Sequence, residues 1–487
     1  MRLFVFGIGG TGGRLMEALT FLLAAGMKMV DADGKPVELI PILLDTDATN
    51  KDTLDGVSAL ELYSRLHSKS DSATEGFFST SMGPLASLAQ EVSVDVSRTF
   101  RLNYRGVENA TFRKFIGFDQ IDDPATKRLL EALYSDDNMN DHLTGGFLGN
   151  PNVGAVVLSG FKNSPDFSLF ANAFSQNDRV FIAGSLFGGT GAAGLPWLLK
   201  ALRNHTQKTG SADAIRNSAI GALMVLPYFK LQEDSKSRID SSVFITKTKA
   251  ALSYYATHVR GLNAVYYIAD NALSTYANHE SGNEQSNDAH VVELLGALAI
   301  LDFARAPASN LLPQGEKYYE YAINADNQEL NLSTLGVQTP TKFSKQLTQL
   351  QMMALLDANH FRQATQATWA KVNGFNAAFY DSSDYRDGLA SFLQTYYSTW
   401  IQQLASNRRA FTPFRTVPDL RDMSKMLTGR DANKKRFWGP GLSGELFDIA
   451  ANNIRNVEHG AIGSLARFVS LWWQVTSDVY DESFGSM

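Results

Sequence analysis

The chain has 487 residues, 44% hydrophobic and 19% charged, which excludes disorder over most of its length and implies two domains or one enlarged domain. Its formal net charge of -6 lacks the basic excess that a phosphate backbone demands, so no nucleic acid partner is expected. With no cysteine, disulfides, thiolate-bound zinc, iron–sulfur clusters and a thiol nucleophile are excluded, and a cytoplasmic location fits.

The first predicted strand, "RLFVF", runs straight into the glycine turn "GIGGTGG". The helix that follows is apolar almost all round, the pattern of a helix buried on most faces. Arg14, Glu17 and Lys28 interrupt it, so it is read neither as a signal peptide nor as a transmembrane segment. After the turn "DADGKP" comes a second strand, "ELIPILLDTDA". Residues 67–103 are polar and small, and are read as an insertion or mobile loop. "DDPATKRLLEALYSDD" starts as a capped helix, and "TGGFLGNPNVGA" is another glycine-rich turn. Strands "DRVFIAGS", "SAIGALMVLPYF" and "LNAVYYIADN" then alternate with helices "GLPWLLKALRNHT" and "SSVFITKTKAALSYYATHV".

That alternation of continuous apolar strands with helices predicts an α/β, Rossmann-like domain with a mainly parallel sheet flanked by helices over residues 1–310. Residues 311–487 form a mostly helical C-terminal domain, built on "SKQLTQLQMMALLDANHFRQATQATWAKV", "YRDGLASFLQTYYSTWIQQLASN" and "GAIGSLARFVSLWWQVTSDVY". Within it, "EKYYEYAIN" and "LNLSTLG" are expected to make a small antiparallel piece, and at least one of the adjacent Trp472 and Trp473 is expected in a core.

Two loops bear on chemistry. Gly7, Gly9 and Gly12 spell G-x-G-x-x-G between a strand and a helix, where exposed amides hold phosphate, and Asp45 and Asp47 end the second strand where a ribose-binding acid would stand. A Rossmann-type NAD or ATP-dependent adenylating enzyme would use that loop alone. A second strand-to-helix junction, "AGSLFGGTGAAG", would then be idle, whereas two such loops facing one crevice would grip a polyphosphate from both sides, with Thr190 adding a hydroxyl. Other features read as bland. His290 is a packed or surface side chain, the histidines form no H-x-x-x-H pair, Ser159 and Ser185 lie in no G-x-S-x-G elbow, and the basic stretches near Arg408 and Lys434 are solvated helix ends.

"FGGTGAAGLP" at Phe187 to Pro196 resembles the GGGTG[ST]G box of the tubulin/FtsZ superfamily of GTPases. Further segments resemble that family in its order. "LFVFGIGGTGGRLMEAL" is similar to the first nucleotide loop, "LIPILLDTDA" to the strand ending in "NTDA", "GGFLGNPNVG" to the loop near the terminal phosphate and "VLPYFKLQEDSKSR" to the ribose-side loop. "TKTKAALSYYATHVRGLNAVYYIADNAL" is similar to the helix and strand ending in "IPND", and "NDAHVVELLGALAIL" to the start of the central helix. The resemblance covers about residues 1–305 and is that of a divergent prokaryotic tubulin-like protein.

The resemblance implies that Gly9, Gly10, Thr11 and Gly12 contact the phosphates of GTP or GDP from one side, and Gly188, Gly189, Thr190 and Gly191 from the other. It places Asp47 near the phosphates and Mg²⁺, the one candidate for direct contact with the metal. Asn150 falls near the terminal phosphate and Glu233 and Arg238 near the ribose. Asp270 or Asn271, with Asn287 and Asp288, falls at the base edge, where guanine offers N1–H and N2–H donors and an O6 acceptor. It implies head-to-tail association of the chain with itself into filaments or oligomers, with GTP hydrolysis completed between subunits.

The chain departs from the family at Phe187 and Ala193, which replace glycines, at the extra Leu186, and at Asp270 in "IADN". The region "DFARAPASNLLPQGEKYYE" lacks the family's N-x-D-x-x-D, leaving Glu316 as the candidate catalytic carboxylate. The alternative is a non-hydrolysing, nucleotide-dependent scaffold that docks a partner protein through its helical C-terminal region.

Overall fold

The side chains of β1 (Arg2–Ile8) alternate between two hydrophobic cores: Leu3 and Val5 enter one, Phe4, Phe6 and Ile8 the other. In β2 (Glu38–Leu44), Leu39 and Leu43 oppose Ile40, Ile42 and Leu44, and in β3 (Arg179–Ser185), Phe181 and Ala183 oppose Val180 and Ile182. A strand covered on both faces has no polar side to show, which is why these segments read as unbroken apolar runs. The computed structural model describes every residue except 71–74, 103, 105, 108–109, 148, 207–210, 235–238, 240, 280–286, 312–314, 323–328, 336–342, 418, 434–440, 455–462 and 486–487.

With β4 (Ile220–Val225), β5 (Ala264–Ala269) and β6 (Lys317–Ala322), these strands form one six-stranded sheet in the order β2-β1-β3-β4-β5-β6, every neighbouring pair parallel. The expected α/β fold is thus observed. Segment "EKYYEYAIN" is not antiparallel. It is the edge strand β6, whose Tyr319 stacks on Tyr266 of β5 with ring centroids 4.8 Å apart. A strand's direction is set by the crossover that delivers it, and strand composition does not carry that information. The β6 strand also lies beyond residue 310. Leu330, which opens "LNLSTLG", and the preceding Glu329 pair in parallel with Phe411 and Ala410.

Helices α1 (Gly9–Ala24), α2 (Lys51–Ser70), α3 (Pro151–Ser159), α4 (Gly189–Arg203), α5 (Phe244–His258) and α6 (Val291–Arg305) cover the sheet. Leu195, Leu198, Leu199 and Leu202 of α4 meet Val153, Val157 and Leu158 of α3 in one core. The other core holds α1 and α6 and continues into the C-terminal helices α7 (Phe343–Asn359) and α8 (Ser464–Phe484). Helix α1 therefore has no polar stripe: its outer side is covered, with Phe21 packed 4.9 Å from Trp400 and 5.6 Å from Phe392. Trp472 is fully buried against Phe361 and Trp369, while Trp473 meets Phe77 edge-on at 5.0 Å.

Of residues 67–103, the first four complete α2; further on, the segments around Met82 and Arg101 lie along the outer edge of β2, bridged in parallel to Leu39 and Leu43. Its buried apolar side chains include Phe77, Phe78, Met82, Leu85 and Phe100, so the stretch is held to the body of the fold. Covering an edge strand in this way satisfies its outward amide and carbonyl groups. Among the described residues no helix is long and apolar enough to cross a membrane.

Candidate functional site

In a parallel sheet the strand-to-helix loops gather at the C-terminal ends of the strands, and β1 and β3 are neighbours. The first turns of α1 and α4 therefore meet. Gly9 has φ +68°, and a Cβ there would stand 3.4 Å from Cβ of Thr190. On the other side a Cβ on Gly189 would fall 3.0 Å from the amide nitrogen of Gly149 and 3.1 Å from that of Asn150, so a third loop joins them. Gly12 and Gly191 have a different task. Side chains there would come within 2.3 Å of the Gly7 backbone and 2.4 Å of the Ser185 carbonyl, so each lets its helix start against its own strand.

These loops enclose a cleft. Of the residues the sequence singled out, Gly9, Gly10, Thr11, Asp45, Asp47, Ser185, Phe187, Gly188, Gly189, Thr190, Gly191 and Asn287 line it. The others do not. Gly12 lies behind the wall, and Asn150 stands at the residue before α3, one position beyond the lining Gly149, with no capping bond from its side chain. Glu233, Asn271 and Asp288 are exposed outside the lining, and Arg238 lies outside the described residues. Asp270 is buried in a bidentate pair with Arg409, with both N–O distances 2.9 Å. Glu316 sits at the opposite edge of the sheet, just before β6, where it accepts from the amide of Gly261 at 3.1 Å.

The loop after β2 holds its shape through its own side chains. Asp45 accepts from the Asp47 amide at 3.1 Å and the Thr53 hydroxyl at 2.8 Å, and Asp47 accepts from the amide and hydroxyl of Thr49 at 2.9 and 2.8 Å. Burial pushes the Asp45 carboxyl up to about 6, partly offset by those donors.

Beneath the glycine loops lies a polar network that the sequence reading missed. Arg14 donates to Asp52, to Glu293 at 2.6 Å and to the Tyr228 hydroxyl at 2.9 Å, while reaching Thr11 Oγ1 at 3.4 Å. Tyr228 in turn donates to Glu293 at 2.7 Å, and Glu293 accepts the His290 amide at 2.9 Å in a capping box that starts α6. Burial by itself lowers the Arg14 pKa, but Asp52, Tyr228 and Glu293 outweigh it and hold the guanidinium charged. Burial raises Asp52 to about 6 against the pull of Arg14, and raises Glu17 to about 8 with help from Asp55, Glu293 and Asp52. The signal was present: a charged residue inside an all-apolar helix has to be paired within the protein. His290 is indeed packed, its Nδ1 accepting from the Val292 amide at 3.1 Å, and burial lowers its pKa to about 3.

Phe187, which departs from the resembled box, has a place. It packs against Phe244 at 5.0 Å, Phe229 at 5.5 Å and Tyr228 at 6.2 Å, so part of the cleft wall is aromatic; Leu231, Ile239, His279 and Asn287 also line the cleft. Ala193 fills the space above Gly154 at the crossing of α3 and α4.

The arrangement suits a polyphosphate accompanied by a cation. Two helix N-termini and a third glycine loop offer amide donors to anionic oxygens. The carboxylates Asp45, Asp47 and Asp52 line the same cleft and would repel a bare polyphosphate. Their oxygens are the hard donors that Mg²⁺ takes. Among the described residues no group of three or more such side chains is placed to hold a metal ion alone, so Mg²⁺ would have to share the phosphates.

The fold and cleft define an α/β protein with a parallel sheet and a cleft lined by three glycine-bearing loops at the C-terminal ends of its strands. Among solved structures, the chain is similar to CetZ2 from Haloferax volcanii in a GTPγS-bound protofilament, with 14% identity and a TM-score of 0.29. That match covers 65% of this chain and 64% of the other. No protein-family model and no curated protein sequence matches the chain.

Proposed function

We propose that the chain binds a nucleoside di- or triphosphate with Mg²⁺ between the Gly9–Gly12 and Gly188–Gly191 loops, GTP and GDP being the nucleotides the sequence resemblance implies. The observation that carries this reading is the approach of Gly9 to Thr190, which brings two strand-to-helix loops onto one cleft. In this reading Thr11 and Thr190 would supply hydroxyls, Asp47, which lines the cleft, would reach the metal, and Gly149 with the neighbouring Asn150 is assigned to the terminal phosphate by resemblance. Glu233 and Arg238 are assigned to the ribose side by resemblance alone.

In the same reading residues 1–310 are the nucleotide-binding domain, 311–487 the helical C-terminal domain, and the protein acts in the cytoplasm. It associates with itself head to tail, into filaments or oligomers. Helix α6 starts at the cleft with Glu293 and, at 1.5 Å per residue, carries the chain roughly 20 Å to the far edge of the sheet. Glu316 is supported as the residue presented to the cleft of the next subunit by its position at that edge. Hydrolysis there would be transfer of the terminal phosphoryl to water, driven by positioning and charge stabilisation.

A second reading, a non-hydrolysing scaffold with a protein partner on the helical region, is favoured by the bonds that already occupy Glu316, to the Gly261 amide and the Tyr318 hydroxyl. Nucleotide binding by calorimetry with Mg²⁺, followed by turnover against protein concentration, tests both. Turnover that rises cooperatively with concentration supports hydrolysis between subunits. Binding without turnover supports the scaffold, and absence of GTP or GDP binding, or retained NAD instead, overturns both.

A further inference from the structure

The two edges of the sheet are finished differently. The outer side of β2 is covered by the segments around Met82 and Arg101, whereas no strand or bridge among the described residues pairs with the outer side of β6. Lys317 donates its amide to the Asn263 carbonyl at 3.1 Å. Backbone groups of a parallel strand alternate between its two sides, so Lys317, Tyr319 and Tyr321 face β5, while Tyr318 and Glu320 each turn an amide and a carbonyl to the open edge. Six residues long, without proline, and with Tyr318 and Tyr319 58% and 41% exposed, this edge is a template for another strand. Tyr319 and Tyr321 also border an open cavity against Leu295, Leu298 and Ala299 of α6, so apolar surface continues up to the edge.

The strand is complementary to itself. When two copies pair antiparallel about a two-fold axis normal to the sheet, residues of one face stand opposite residues of the same face, so registers differ in steps of two. With the axis at Tyr319, Tyr318 of each copy exchanges both backbone bonds with Glu320 of the other, and the open groups of both strands are satisfied. Tyr319 then meets Tyr319 of the second copy, extending the stack that it makes on Tyr266 at 4.8 Å, and Lys317 meets Tyr321. Sliding by two residues puts Glu320 opposite Glu320 in one direction and opposite Glu316 in the other, like-charge pairs that cost stability.

We infer that β6 joins two copies of this chain edge to edge, antiparallel and in register at Tyr319, so that one sheet continues across the contact. Such a contact is two-fold and closes on itself, unlike head-to-tail association. It does not rest on the reading of the cleft.

The test uses the full chain without nucleotide. Residues opposite each other in a non-hydrogen-bonded antiparallel pair have Cα atoms about 4.5 Å apart, within disulfide range, and the chain has no cysteine of its own. Tyr319→Cys should therefore give a covalent dimer on mild oxidation. Lys317→Cys, which lies opposite Tyr321 and four residues from its own counterpart, should not. In sedimentation the mass of the parent should double as concentration rises. Tyr319→Lys and Tyr319→Glu should each be monomeric, because each sets like charges across the axis, and a mixture of the two should dimerise again. Circular dichroism melting checks that these variants fold, and if one does not, the cysteine pair decides alone. A parent that stays monomeric at every concentration overturns the inference. A dimer that Tyr319→Lys leaves intact, or equal cross-linking at 317 and 319, also overturns it, because the contact then lies elsewhere.

Discussion

Arg14 in the first turns of α1 and Glu293 in the first turn of α6 form a buried ion pair 2.6 Å long, joining the glycine-loop helix to the central helix directly beneath the cleft. Asp52 of α2 completes the arrangement from a third element.

Arg14→Met should destabilise the protein by about 3–5 kcal/mol, because it strands Asp52 and Glu293 as buried carboxylates without a counter-charge. Arg14→Met combined with Glu293→Gln should recover part of that loss. Urea unfolding of the single and double variants measures it, and a single variant as stable as the parent refutes the structural role.

Stability should fall between pH 6.5 and 8. The folded Glu17 carboxyl titrates near 8 against an ordinary 4.5, so in this window the folded state holds a proton that the unfolded chain has lost. That contribution is full below the unfolded pKa and fades as pH rises through 8. Asp45 and Asp52, near 6, have largely finished titrating by then, and His290, near 3 against 6.5, acts below the window by costing stability as pH falls. Glu17→Gln should flatten the slope, by about 1 kcal/mol across the window. Melting temperatures of the two proteins from pH 6.5 to 8 decide it, and parallel slopes exclude Glu17 as the cause.

Gly189→Ala should weaken Mg²⁺–nucleotide binding by at least about tenfold, since its methyl would press within 3.1 Å of the amides of Gly149 and Asn150. Whereas Gly189 meets other segments without a left-handed backbone, Gly34→Ala, the control, puts a side chain on a backbone at φ +78° with no atom within 4 Å. It should cost roughly 1 kcal/mol of stability and leave binding unchanged. Calorimetry on both separates the cradle from the backbone, and equal effects on binding would remove Gly189 from the site.

A chain ended after residue 310 should not fold by itself. It lacks β6, and it bares the side of α1 where Phe21 meets Phe392, Tyr397 and Trp400. Circular dichroism melting and gel filtration check this, and a cooperative monomer would show that the C-terminal helices are dispensable for the sheet domain. Within the full chain, Trp472→Ala should cost about 3–5 kcal/mol from lost contacts with Phe361 and Trp369.

Local sequence determined much of this molecule. Apolar runs at β1 to β5 announced buried parallel strands, because side chains on both faces of such strands must be apolar. Glycines at 9 and 189 announced loops, since a side chain at either would meet another segment's backbone or side chain. Tertiary structure decided what depends on the meeting of distant segments. It set the direction of β6, turned a stretch read as an insertion into the cover of the β2 edge through the backbone around Met82 and Arg101, and committed Asp270 to Arg409. It also gave Arg14 its meaning, as an interruption in an apolar helix became the centre of a network spanning three helices. The reason is physical: periodicity and turn chemistry act over a few residues, whereas a buried charge is stable only beside a partner that the fold brings from far along the chain.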